Sequence, residues 1–142
     1  MNITDFIKQQ EGFKNKSYQD SIGKWTIGCG FITINGHPVV KGMVMSDQQI
    51  EQELLRQITP YQEAVNNFVK VNLTSNQLTA LTSFTYNLGI TAFKNSTLLK
   101  KINMSSPTEE IKIEFMKWVK ASGVTIQGLV NRRNAEYSLF NS

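Results

Sequence analysis

Apolar residues recur at helical spacing from the start of the chain. Ile3, Phe6 and Ile7 share one face, Thr4 or Asp5 is placed to cap the first turn, and Gly12 to end the last. The period then shortens. Residues 17–19, 25–27 and 31–34 read as short strands separated by glycine-containing turns. Asn35-Gly36 is a hairpin signal, because both central positions of a type I′ turn need positive φ. Val39 and Val40 continue the returning strand after Pro38. One small antiparallel sheet accounts for residues 17–41.

From Ser46 onward the pattern reads as helical throughout. Ser46 and Gln49 form a capping box ahead of Ile50, Leu54 and Ile58. Pro60 suits the first turn of a new helix carrying Tyr61, Ala64, Val65 and Phe68. A second capping box, Thr74 with Gln77, opens a helix bearing Leu78, Leu81, Thr85 and Leu88, which Gly89 ends. Residues 96–103 form a short basic amphipathic helix. Ser106-Pro107 opens the next, with Ile111, Phe115, Trp118 and Val119, and Gly123 closes it. The last helix covers residues 129–140, with Arg132 and Glu136 paired at i, i+4. The expected architecture is α+β. A β-containing lobe (1–42) joins a larger helical lobe (43–142) in one domain, with an active-site cleft between them, since ligand sites favour such junctions.

Composition narrows the class. The hydrophobic share of 40% supports a sizeable core, and 18% charged residues argues against disorder. No apolar run reaches membrane-spanning length, so no stable membrane anchor is expected. The N-terminus lacks a basic segment followed by an apolar one, which points to synthesis in a cytoplasm without a signal peptide. A single cysteine, Cys29, excludes an internal disulfide and suits a reducing compartment. The net charge is +4 and the pI about 9.2. Residues 94–142 hold eight Lys/Arg against four acids, so the C-terminal third is the basic part. A basic surface favours approach to anionic envelope polymers.

The candidate chemistry lies in residues 11–30, E-G-F-K-N-K-S-Y-Q-D-S-I-G-K-W-T-I-G-C-G. Glu11 falls in the last turn of the first helix, where partial negative charge disfavours a second one and favours a held proton. That suits a general acid. Asp20, followed by Ser21 and Gly23, sits in a polar turn and is expected to stay ionised as a base or electrostatic stabiliser. Two carboxyls in different environments are the equipment for cleaving a glycosidic bond.

Glu11, eight residues, Asp20, five residues, Thr26 resembles the catalytic signature of phage lysozymes of the T4 type, the endolysin glycoside hydrolases of family 24. The flanking Tyr18, Gly23, residues 25–28 and Gly30 also fit. So do three later stretches, residues 76–89, 92–103 and 128–136, which look like lambdoid-phage members. The resemblance implies a lysozyme-like fold and hydrolysis of the β-1,4 link between N-acetylmuramic acid and N-acetylglucosamine in peptidoglycan during host cell lysis. It implies direct attack by a water that Thr26 helps to hold, with inversion. A retaining route with Asp20 as nucleophile is the rival, and the carboxyl separation decides between them. Ile32, Tyr86, Asn87 and Ser96 occupy motif positions that look substrate-facing. No cofactor or metal is implied, and a monomer acting on glycan strands is expected, reaching the wall after release. One position departs from the family: Phe31 stands where many members carry His.

Other classes fit poorly. A zinc amidase needs several ligands, and His37 is the one histidine. A Cys–His peptidase would have to use Cys29 and His37, which lack a nucleophile-on-helix context. Gly28-Cys29-Gly30 precedes no Lys-Ser/Thr pair, so it reads as a bend with close backbone approach rather than a phosphate loop. The non-enzymatic alternative is a basic module for cell-wall polymer or nucleic acid, but no nucleic-acid-binding signature stands out. The arginine-bearing last helix leaves open a membrane activity of its own, though most such helices pack.

Overall fold

In the computed structural model, which describes residues 1–142, helix α1 spans Ile3–Glu11 and buries Phe6 and Ile7 on the apolar face read from the sequence. The start differs from expectation. Asn2 is the cap, its side chain accepting from the Asp5 N–H, while Thr4 is buried and donates to Asn2 and to Glu51 Oε1 at 2.9 Å. A residue inside the first turn cannot also cap it. Gly12 ends the helix as expected, with φ of 67° and its N–H bonded to the Lys8 carbonyl.

The next residues form two small antiparallel sheets rather than one. Strands β1 (Lys14–Gln19) and β2 (Trp25–Gly28) pair with Tyr18 opposite Thr26 and Gln19 opposite Trp25. Strands β3 (Thr33–Ile34) and β4 (His37–Pro38) pair across Asn35-Gly36, whose φ angles of 49° and 82° match the type I′ turn. Between the sheets the chain folds on itself at Gly28-Cys29-Gly30, where Ile27 and Phe31 exchange backbone hydrogen bonds of 2.9 and 2.8 Å. The two ladders stay separate because this tight reversal interrupts them. Neither Val39 nor Val40 continues the strand, which ends at Pro38; Val39 is buried and Val40 exposed.

Helix α2 runs without a break through Asp47–Phe68 and carries Pro60 in its interior. The predicted boundary at Pro60 is therefore absent. The apolar stripe explains this: Ile50, Leu54, Ile58 and Val65 are all fully buried at one continuous helical spacing. Burying each is worth about 1.5–3 kcal/mol, enough together to offset the roughly 3 kcal/mol cost of an interior proline. The Ser46–Gln49 capping box forms with both bonds present, at 2.9 and 3.1 Å.

The chain divides into two compact units, Met1–Thr59 and Pro60–Ser142. The second contains α3 (Ser75–Leu88), α4 (Ile90–Lys94), α5 (Thr97–Asn103), α6 (Thr108–Met116), a hairpin of β5 (Lys120–Ala121) and β6 (Val124–Thr125), and α7 (Gln127–Phe140). The capping box of Thr74 and Gln77 and the stop at Gly89 are as expected. Helix α4 and the β5–β6 hairpin were not anticipated. Gly123 does not close α6. It occupies a hairpin turn with Ser122, at φ of 79° and 51°. The signal was present in K-A-S-G-V-T, a Ser-Gly pair between short alternating segments. The core of this unit centres on Phe84, which meets Phe93, Phe115 and Trp118 edge-on at centroid distances of 6.1, 5.7 and 5.7 Å.

Two substitutions test these arguments. A methyl group at Gly28 would lie 2.6 Å from two Phe31 ring carbons, at a φ of 61°. Gly28→Ala is expected to lower stability by about 2–4 kcal/mol in urea denaturation. Pro60→Ala restores a helical donor and is expected to raise stability by about 1–3 kcal/mol. An unchanged midpoint would mean that the helix already accommodates the proline without cost.

Candidate active site

Residues 12–30 place their side chains through backbone geometry. Glu11 is the last residue of α1, and its side chain is exposed. The chain then turns at Gly12 and enters β1. Asp20 follows β1 and closes the connection to β2 with its own groups. Its N–H donates to the Lys24 carbonyl at 2.9 Å, and its carbonyl accepts from the Gly23 N–H at 3.0 Å. Its Oδ1 accepts from the N–H groups of Ile22 and Lys24 at 3.0 and 2.8 Å. Gly23, at φ of 82°, supplies the left-handed residue the turn requires. One carboxylate oxygen is therefore fixed by two backbone donors, and the other takes no protein hydrogen bond.

Thr26 is buried in β2, and its hydroxyl donates to the Lys24 carbonyl at 3.0 Å. The same carbonyl accepts from Asp20, so the two candidate residues are tied to one backbone group. Thr26 lies opposite Tyr18 in the ladder, and Asp20 is two residues beyond Tyr18. The two residues therefore flank the turn, Asp20 just past the end of β1 and Thr26 within β2. With its proton committed to Lys24, the Thr26 oxygen is left as an acceptor.

Cys29 lies beneath this region and is buried. Burial pushes its thiol up to about 11. The nearby Glu11 charge pushes the same way, and Lys8 opposes. A thiol protonated at neutral pH is a poor nucleophile. His37 is exposed in β4. The peptidase alternative thus has no activated thiol. No group of three or more His, Cys, Asp or Glu side chains is placed to hold a metal ion.

The remaining candidates are placed as follows. Ile32 is 46% exposed just after the buried Phe31, and its carbonyl accepts from Val39. Tyr86 and Asn87 lie in the last turn of α3. Tyr86 packs edge-on against Tyr61 at 5.2 Å. The Asn87 amide oxygen accepts from the Arg133 guanidinium. Ser96 is buried as the cap of α5, donating to the Phe93 carbonyl at 2.7 Å and accepting from the Leu99 N–H at 3.0 Å. Its hydroxyl is thus engaged inside the fold.

Arg133 belongs to a buried charged cluster that the sequence reading caught only in part. Glu136 is fully buried. It meets Arg132 at 3.3 Å and Arg133 at 3.0 Å, and accepts from the Ser83 hydroxyl at 2.6 Å. Arg132 also donates to the Ser83 carbonyl at 3.2 Å. Arg133 lies over the Phe84 ring at 5.1 Å. Burial pushes the Glu136 carboxyl up from the usual range, against the pull of Arg133, Arg132 and Ser83. The expected Arg132–Glu136 pair is present. The missed signal was the matching i, i+4 spacing of Ser83 and Asn87 on α3.

The chain is similar to known proteins over nearly its full length. A family model described as phage lysozyme matches residues 8–136. An endolysin of Acyrthosiphon pisum secondary endosymbiont phage 1 is 40% identical over 140 residues, covering 96% of this chain and 92% of that protein. An endolysin of Bacillus phage PZA is 39% identical over 140 residues, and the match spans 53% of that longer protein. The solved structure of an endolysin from Escherichia coli O157:H7 phage FAHEc1 aligns with a TM-score of 0.91 at 39% identity, covering 97% of this chain and 89% of that one.

Removing one partner of a buried ion cluster leaves the other charges uncompensated. Glu136→Gln is expected to destabilise the protein by about 3–5 kcal/mol, and Ser83→Ala by about 1–3 kcal/mol, in urea denaturation. Similar small losses for both would show that the arginines find other partners.

Proposed function

The chain belongs to the phage lysozyme family, and from that premise we propose that Glu11, Asp20 and Thr26 carry its hydrolysis of peptidoglycan. The chain is a glycoside hydrolase of the endolysin type with a lysozyme-like α+β fold. The proposed bond is the β-1,4 link from N-acetylmuramic acid to N-acetylglucosamine. The reading rests on one observation: Asp20 is held through Oδ1 by two backbone N–H groups, one of them that of Lys24, whose carbonyl also binds the Thr26 hydroxyl.

In the proposed reaction the Glu11 carboxylic acid gives its proton to the glycosidic oxygen as the bond from C1 breaks. Asp20, fixed through Oδ1, uses its second oxygen to take a proton from water. The Thr26 oxygen accepts the other water hydrogen, leaving a lone pair aimed at C1. Water attacks from the face opposite the departing sugar, and the anomeric configuration inverts. Asp20 then releases the proton it took to solvent, and Glu11 regains its own from solvent, which resets both groups. The backbone donors hold Asp20 in one orientation, so little reorganisation accompanies attack.

Ile32 and Tyr86 are proposed sugar contacts. Asn87, its amide oxygen held by Arg133, presents its NH₂ group as a donor. Ser96 enters only through the cap it gives α5. We place the activity of a monomer at the bacterial wall, after cytoplasmic synthesis and release at lysis, with no nucleic-acid partner and no cofactor. No helix is long and apolar enough to cross a membrane.

Clearing of purified cell walls tests these roles. Glu11→Gln and Asp20→Asn are each expected to lower the rate by at least about 100-fold with unchanged circular dichroism. Asparagine keeps an oxygen acceptor for Ile22 and Lys24, so the turn should persist. Wild-type clearing by either variant would remove that residue from the mechanism. Proton NMR of the first product should show the inverted α-anomer, and an initial β-anomer would replace direct water attack with a covalent Asp20 route.

A further inference from the structure

A second feature of the β1–β2 hairpin lies on the face away from Thr26. Successive strand residues point to opposite sides, so Trp25 faces away from the side that carries Thr26. There it lines a surface hollow of about 390 Å³ together with Lys16, Ser17, Lys41, Met43 and Val44. The hollow is built by backbone pairing. The segment after β4 runs along β1, with Ser17 N–H donating to the Met43 carbonyl at 2.9 Å, Met45 N–H to the Asn15 carbonyl at 2.8 Å, and Lys16 bridged to Val44. The Ser17 hydroxyl accepts from the Met43 N–H at 3.2 Å, which fixes that wall.

Its chemistry is unusual for this chain. Trp25 is only half-buried, and Val44 is 66% exposed. Neither Lys16 nor Lys41 has an acidic partner, whereas Lys8, Lys101 and Lys117 each do. Residues 12–46 contain Lys14, Lys16, Lys24 and Lys41 against Asp20 as the lone acid. An indole face beside apolar walls suits the apolar face of a sugar ring. Two unpaired ammonium groups beside it suit a carboxylate. The volume falls within the usual range for a small-ligand site.

We propose that this hollow is a second glycan-binding site, taking a muramyl-peptide unit with its sugar ring on Trp25 and a carboxylate of its stem peptide between Lys16 and Lys41. The inference rests on the wall-hydrolysing reading for its polymer. It adds a contact outside the catalytic turn that would hold the enzyme on a strand between cleavages. Binding there requires no turnover, so the site can be tested apart from the catalytic roles.

The test is a two-dimensional ¹⁵N NMR titration of the intact protein with muramyl dipeptide, a sugar whose attached peptide ends in a free carboxylate. The Trp25 indole N–H and the amides of Ser17, Met43 and Val44 should shift together. Lys16→Gln/Lys41→Gln should keep the spectrum otherwise native and weaken binding about tenfold, the scale of two exposed charge contacts. Uncharged N,N′-diacetylchitobiose should bind this site as weakly in the wild type as muramyl dipeptide does in the double variant. The proposal is overturned if shifts centre on Asp20 and Thr26 instead, or if the double variant binds like wild type. It is equally overturned if a short oligonucleotide shifts the same signals at lower concentration, which would make the hollow a phosphate-polymer site. The Glu11→Gln protein should bind muramyl dipeptide here like wild type, since Glu11 does not line the hollow.

Discussion

Asp20 closes its own turn, and the geometry around it follows from that. Four hydrogen bonds join Asp20 to Ile22, Gly23 and Lys24, two through its carboxylate and two through its backbone. The closure sets the register of β1 against β2. Register decides that Thr26, rather than Trp25 or Ile27, stands opposite Tyr18, two residues before Asp20. A slip of one residue would exchange the two faces of the hairpin, moving the hydroxyl away and bringing the indole in. The residue proposed to activate water is thus also the residue that positions its helper, and the Trp25 hollow on the other side is a product of the same register.

The second unit is organised around a different constraint, a carboxylate buried among two guanidinium groups. Glu136 alone would be too costly to bury, and its partners come from two helices. Arg132 and Arg133 lie on α7, Ser83 on α3. Because Arg133 also holds Asn87 and covers Phe84, the polar cluster and the aromatic core share a wall. That arrangement specifies how α3 and α7 face each other more narrowly than apolar packing would, since every member must find its partner at once. It also fixes the end of α3 that carries Tyr86 and Asn87.

Phe31 shows how a departure from a family pattern is accommodated locally. The ring is 1% exposed and lies against Gly28, where a side chain of any size would collide with it. An apolar plug therefore occupies the place of the usual histidine, and Gly28 is required by the ring as well as by φ. Cys29, caught in the same reversal, is buried with a protonated thiol, which makes it part of the packing.

Much of this was legible in the chain. The end of α1 at Gly12, both capping boxes, the Asn35-Gly36 turn, the Arg132–Glu136 pair and the polar turn at Asp20 are all local signals, set by φ preferences and hydrogen bonds within a few residues. Where local signals competed with packing, sequence reading failed. Pro60 looked like a helix start, but a continuous buried stripe carries α2 through it. Gly123 looked like a helix stop and proved to be a hairpin turn. Sequence alone thus determined the residue types, the α+β class and the candidate acids. Tertiary structure decided which face each strand residue occupies, which acid is buried with which cations, and that Ser96 is used up as a cap. Those outcomes depend on register and on partners 46–53 residues apart, such as Asn87 with Arg133 and Ser83 with Glu136, and no local pattern encodes them.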